Sequence, residues 1–167
     1  MRRIIALCLV LSLSPLTALA VGAKKAAYVG GTAVEFKDAK KQIEGSLETN
    51  DEKEMRFVYA GNYTFSIPYD HFIDMEYGKK SGRRVGAAVA TTILLGPLGL
   101  LTLMSKKQKH FLTIGYTDAA GKEQVAIFEL GKDLFRTTLP ILEARSGKKI
   151  TYQDAKDEKK IEKEKKK

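Results

Sequence analysis

From Val85 to Met104 the chain reads VGAAVATTILLGPLGLLTLM, a run without a single charge. Basic residues stand on both sides. Lys79, Lys80, Arg83 and Arg84 precede it, Lys106, Lys107 and Lys109 follow it, and no acid occurs anywhere from 79 to 109. Any fold of this chain must accommodate an oily insert with a cationic collar. By length alone the run matches a transmembrane helix, for which ~20 apolar residues suffice. Its interior argues against a simple span. Gly96-Pro97-Leu98-Gly99 break the run, because proline removes a helix hydrogen bond and the flanking glycines favour a turn. A helix over Val85 to Leu95 is ~16 Å long at 1.5 Å per residue, about half of a hydrocarbon layer ~30 Å thick. The pattern predicts an apolar helical hairpin whose ends return to one surface.

Three placements of that hairpin are open. It dips into a bilayer and returns; it folds onto the protein's own sheet; or it is a true span and the flanking strands do not share a sheet. The collar favours the first, since a segment buried in protein does not need one. Apolar anchors would then be Ile93, Leu94, Leu95, Leu98, Leu100 and Leu101, each contributing ~1.5–3 kcal/mol on burial. Arg83, Arg84, Lys106, Lys107 and Lys109 would meet headgroup phosphates, adding up to ~1 kcal/mol each near an anionic surface. Gly86, Ala87, Ala88 and Gly96 suit close helix packing in every case.

The N-terminus reads as an export signal over residues 1–20. Met1-Arg2-Arg3 is a short positive region, Ile4 to Leu16 is apolar, and Ala18-Leu19-Ala20 fits the small-x-small cleavage rule. Cleavage there leaves one domain's worth of chain, large enough for a proper core. It also removes Cys8, the only cysteine, and with it any disulfide, thiolate metal site or cysteine nucleophile. The formal charge of +9 falls to +7 without Arg2 and Arg3, and the seven basic residues of 79–109 account for all of it. The rest of the mature chain is neutral. That localised excess argues against nucleic acid as a partner, which would require a basic face on the folded domain.

Outside the insert the pattern is mostly that of strands. Tyr28 to Phe36 is expected as a first strand after a loose lead-in over Val21 to Ala27, and Ile43 to Thr49 as a second. Met55, Phe57 and Tyr59 alternate with Glu54, Arg56 and Val58, and Tyr63, Phe65 and Ile67 alternate with Thr64 and Ser66 after the turn Ala60-Gly61-Asn62. This predicts a β-hairpin with one aromatic face. Phe72 to Tyr77, His110 to Tyr116 and Gln124 to Leu130 are further strands. Asp133 then marks a helix start, with Leu134, Phe135, Leu139 and Leu142 along one face and Gly147 as its end. Pro140 predicts a kink or an early stop. Residues 151–167, rich in Lys, Glu and Asp, read as a charged disordered tail.

Strands, an apolar insertion, two more strands and a closing helix describe a mainly β fold with a C-terminal α-helix. The order resembles the pleckstrin-homology-like (PH-like) and GRAM-like superfold, and the resemblance covers residues 28–150. It rests on Gly45-Ser46-Leu47, on Phe65-Ser66-Ile67-Pro68-Tyr69-Asp70-His71-Phe72-Ile73 and on His110-Phe111-Leu112-Thr113-Ile114. The chain is also similar to exported bacterial proteins with a Lys-His-Phe-Leu-Thr-Ile strand after a hydrophobic loop, here Lys109 to Ile114. The resemblance implies an antiparallel bent barrel capped by the helix, and binding of lipid headgroups or peptides.

Nothing in the sequence builds an active site. His71, Asp74 and Glu76 are the nearest approach to a metal-ligand set, but on an extended strand residue 71 points away from 74 and 76. His110 opens a strand beside Lys109 and is expected in contact with solvent or headgroups. Gly82-Arg83-Arg84-Val85-Gly86 lacks the glycine spacing and Lys-Ser/Thr of a phosphate loop, and no serine sits in a nucleophile elbow. The expectation is a non-enzymatic binding module without metal or cofactor, exported to the periplasm or cell envelope. Its partner is an anionic lipid surface or an envelope protein. The alternative is a structural interaction protein whose insertion packs on its own sheet or on a protein partner.

Overall fold

The computed structural model describes residues 25–39, 41–79, 109–155 and 158–159. Eight strands form one sheet: β1 (Lys25–Gly31), β2 (Ile43–Glu48), β3 (Glu54–Tyr59), β4 (Tyr63–Pro68), β5 (Phe72–Gly78), β6 (His110–Thr117), β7 (Glu123–Leu130) and β8 (Ile150–Tyr152). Their spatial order is β4-β3-β2-β1-β7-β6-β5-β8, which leaves β4 and β8 at the two edges. Every pairing is antiparallel except β5 with β8. An α-helix, α1 (Leu134–Ser146), follows β7. The protein is mainly β with a C-terminal α-helix.

Alternation decides which face each strand buries. Met55 and Phe57 on β3 lie opposite Ile67 and Phe65 on β4, and all four are buried. Leu112, Ile114 and Tyr116 on β6 and Ala126, Phe128 and Leu130 on β7 point to the same interior. Aromatic rings fill its middle. Phe36, from a 3-10 turn at Val34–Phe36, stands edge-on to Tyr59 and Phe65 and lies 4.2 Å from the ring of Tyr28, centroid to centroid. Leu134, Phe135, Leu139 and Leu142 of α1 close the cluster.

Four expectations change. The first strand begins at Lys25, inside the anticipated lead-in, and ends at Gly31, because β2 and β7 offer ladder partners to residues 25–31 and not to 34–36. Pro140 neither stops nor shortens the helix, which runs on to Ser146. Leu139 and Leu142 are fully buried on either side of it, so tertiary packing outweighs the lost backbone bond. Gly147 ends the helix in the left-handed region (φ 66°), its N–H donating to the Glu143 carbonyl at 3.0 Å. His71 belongs to a 3-10 turn at Tyr69–His71, so strand parity does not govern it. Finally, β8 extends the sheet at 150–152, where the sequence shows too short a run to announce a strand.

Candidate functional site

The two strands that bracket the apolar insert are neighbours. Gly78, the last residue of β5, lies opposite Phe111 on β6, and Tyr77 lies opposite Leu112. The ends of the 80–108 segment therefore leave the sheet side by side, roughly one strand spacing of ~4.8 Å apart. This geometry overturns the single-span placement, since strands separated by a bilayer cannot pair. Among the described residues no helix is long and apolar enough to cross a membrane. The anticipated anchors Ile93, Leu94, Leu95, Leu98, Leu100 and Leu101, and the cations Arg83, Arg84, Lys106 and Lys107, lie outside the described residues.

The root of the insert is fixed on both sides of the sheet. Toward the interior, the His110 ring stacks on Phe135 with centroids 4.1 Å apart and lies parallel to Tyr77 at 6.0 Å. Its Nδ1 and the Tyr77 hydroxyl share a hydrogen bond of 2.5 Å. The histidine expected to meet solvent or lipid is thus half-buried and ties the re-entering chain to α1. Toward the outside, Lys109 Nζ donates to Glu129 Oε2 at 2.7 Å. The one collar residue placed at a headgroup that is also described holds a carboxylate of β7.

On β5, Glu76 points outward and is 5% exposed. Its Oε1 accepts from Gln153 Nε2 at 2.7 Å, while Oε2 has no hydrogen-bond partner among the described residues. Gln153 lies across Gly78, where a Cβ would collide with it, and its backbone N–H donates to Tyr77 O at 3.0 Å. Sequence reasoning missed this arrangement, because the glutamine comes from the stretch assigned to a disordered tail.

The outer face of β6, β7 and β1 carries a second apolar cluster. Phe111, Val125, Ile127, Val29 and Ala27 form it, separate from the main core. All five are buried, Val125 and Ile127 to within 1%. Its members come from strands alone: α1 and both 3-10 turns contribute to the inner cluster and not to this one.

Elsewhere the polar groups serve the fold. His71 Nδ1 bonds the Thr117 carbonyl at 2.9 Å, away from any acid set. Among the described residues no group of three or more His, Cys, Asp and Glu side chains stands where it could hold a metal ion. Burial raises the hydroxyl pKa of Tyr28 and Tyr116 above the ordinary tyrosine value, which keeps both neutral in the core. Burial raises Tyr69 as well, against the hydrogen bond from Arg145. An open groove beside β1, lined by Lys25, Ala27, Glu44, Glu129 and Gly131, gathers no nucleophile with a base. No protein-family model matches the chain, and no curated protein matches it either.

Proposed function

We propose that the protein is a non-catalytic, exported binding module of the PH-like bent-barrel type that works at an anionic membrane or envelope surface through its apolar insertion. The observation that carries this reading is the pairing of Gly78 with Phe111. An apolar hairpin whose two ends emerge together, each followed or preceded by cations, suits entry into one face of a bilayer and return. The strand order supports the bent-barrel architecture. Two antiparallel meanders, β1 to β4 and β5 to β7, meet through β1, which pairs β2 and β7 and shifts register between Tyr28 and Gly30. A helix after the last meander strand completes that plan.

Flotation with vesicles of phosphatidylglycerol and phosphatidylcholine tests the function. The full chain is expected to float, and a variant with residues 85–104 replaced by a short Gly-Ser turn is expected to stay at the bottom. Undiminished flotation of that variant would falsify the membrane reading.

The second reading is a structural interaction protein whose residues 85–104 pack on its own sheet or on a protein partner. The buried outer cluster around Val125 and Ile127 favours it.

A further inference from the structure

We infer that the outer face of β6, β7 and β1 is the docking surface for residues 85–104 of the same chain. The inference rests on the second reading above and names the face, the occupant and the contacts that would hold it. Sheets whose outer side meets water alternate apolar with polar residues. Here β7 is apolar on both sides over its middle: Ala126 and Phe128 face inward, Val125 and Ile127 outward. Strands buried on both faces have a covering layer on each. The inner layer is α1. The outer residues are as buried as the core, and no residue of α1 or of the 3-10 turns belongs to their cluster.

Position and size select the occupant. Phe111, at one end of the cluster, is the second residue of β6 and stands opposite Gly78, where the 80–108 segment leaves the sheet. From Phe111 the face continues along β6 to Gly115, which pairs with Val125. Four residues of strand span ~13 Å, and a helix over 85–95 would span ~16 Å. The three strands are ~10 Å across between the axes of the outer two, the width of one helix. Small residues on both partners, Gly86, Ala87 and Ala88 on one and Thr113 and Ala27 on the other, allow close approach; the outer side of Gly115 is taken by the Asp74 carboxyl.

Charge agrees. The outward side chains of β5 and β7 near the root include Glu76 and Glu129. Lys109 already holds Glu129, and Glu76 Oε2 is a buried carboxylate oxygen without a hydrogen bond among the described residues. A buried anionic oxygen is costly unless a cation or donor meets it. The collar residues Arg83, Arg84, Lys106 and Lys107 lie within the segment that starts two residues beyond β5 and ends before Lys109.

Disulfide scanning tests this in the full chain with Cys8→Ser. Thr113→Cys, at the centre of the outer face, is combined in turn with Ile93→Cys, Leu94→Cys, Leu95→Cys and Leu98→Cys, and each pair is oxidised at low protein concentration. The control replaces Thr113→Cys with Val58→Cys, outward on β3 and three strands away from β6's neighbour β7. Expected is an intramolecular disulfide with Thr113→Cys, several-fold above the control and confined to positions of one helical face. A disulfide with the Val58 position instead keeps the protein-packing reading and overturns this face. Cross-links only between chains make a second copy the occupant and overturn the proposal. So does a cross-link from Leu9→Cys, which would assign the face to the leader. No disulfide at either position, with flotation that depends on 85–104, overturns both this inference and the second reading. Independently of any cysteine, replacing 85–104 with a Gly-Ser turn is expected to raise binding of an apolar dye several-fold, and an unchanged signal speaks against a covered face.

Discussion

Asp118 shows how much of this sheet is held by single polar side chains at turns. Its Oδ1 accepts from the backbone N–H groups of Ala120 and Lys122, and its Oδ2 accepts from Gln124 Nε2, each at 2.9 Å. Those bonds, the Lys122 amide foremost, hold its carboxyl below the usual aspartate range. The sign follows from linkage: a carboxylate with a depressed folded value adds stability above its unfolded pKa of ~3.9, and that stability is lost as pH falls through the folded value. Asp118→Asn is therefore expected to lower the urea midpoint at pH 7, with the gap to the wild type closing in acid below pH ~4. A gap of constant size from pH 7 to acid would assign the loss to shape and not to charge. Gly31 is a second such position. Its φ is 131°, and a Cβ there would stand 2.1 Å from the Val125 carbonyl oxygen. Gly31→Ala must move β1 away from β7, at a cost on the order of 2 kcal/mol or more, readable as a lower melting temperature.

At the scale of elements, α1 is locked to the sheet by Arg145. Its Nη1 donates to the carbonyls of Thr49 and Asp51, and its guanidinium lies 5.7 Å above the Tyr69 ring. Charged donors to partly buried acceptors contribute ~1.5–3 kcal/mol, so Arg145→Ala is expected to lose about that much in chemical denaturation, and Arg145→Lys to recover only part of it. Pro140 acts in the opposite direction. It denies the helix one backbone bond at an interior position, and Pro140→Ala is expected to raise the unfolding free energy by ~1–2 kcal/mol, the helix gain less the lost rigidity of the unfolded chain. The elements differed in how far they could be read from sequence. The β3–β4 hairpin was plain because Met55, Phe57, Phe65 and Ile67 alternate and the pair is local. By contrast β1 opens on Lys25-Ala26-Ala27, which has no strand signature of its own and is drawn into the sheet by β2 and β7. The three-residue β8 exists only through its parallel pairing with β5, some 75 positions earlier (Met75 with Ile150). The His110–Phe135 stack and the Glu76–Gln153 bond likewise join residues far apart in sequence, and no spacing rule reveals them. The outer cluster was hidden for another reason. A strand apolar on both faces reads the same whether its second face meets a helix, a partner or a bilayer.

For the whole molecule, the sign of one stability change separates a docked insertion from a free one. The segment between the described ends runs from residue 80 to residue 108. Replacing residues 85–104 with a short turn cuts the connection from roughly 30 residues to about 12 and lowers the loop-closure cost by ~0.8 kcal/mol, because the cost grows as (3/2)RT ln n. If residues 85–104 make no contact with the domain in water, the shortened protein is more stable than the parent. If they cover the outer face, shortening also strips the cover from Val29, Phe111, Val125 and Ile127, now buried at 3% exposure or less. Full burial of such side chains is worth ~1.5–3 kcal/mol each. Even a third of the four-residue total, ~2–4 kcal/mol, exceeds the entropic gain. The expected outcome is a lower urea midpoint for the Gly-Ser variant, accompanied by faster amide exchange at Val125 and Ile127. A midpoint raised by the loop term alone would mean that the insertion lies elsewhere. The same chain then has only the membrane, or another protein, in which to bury it.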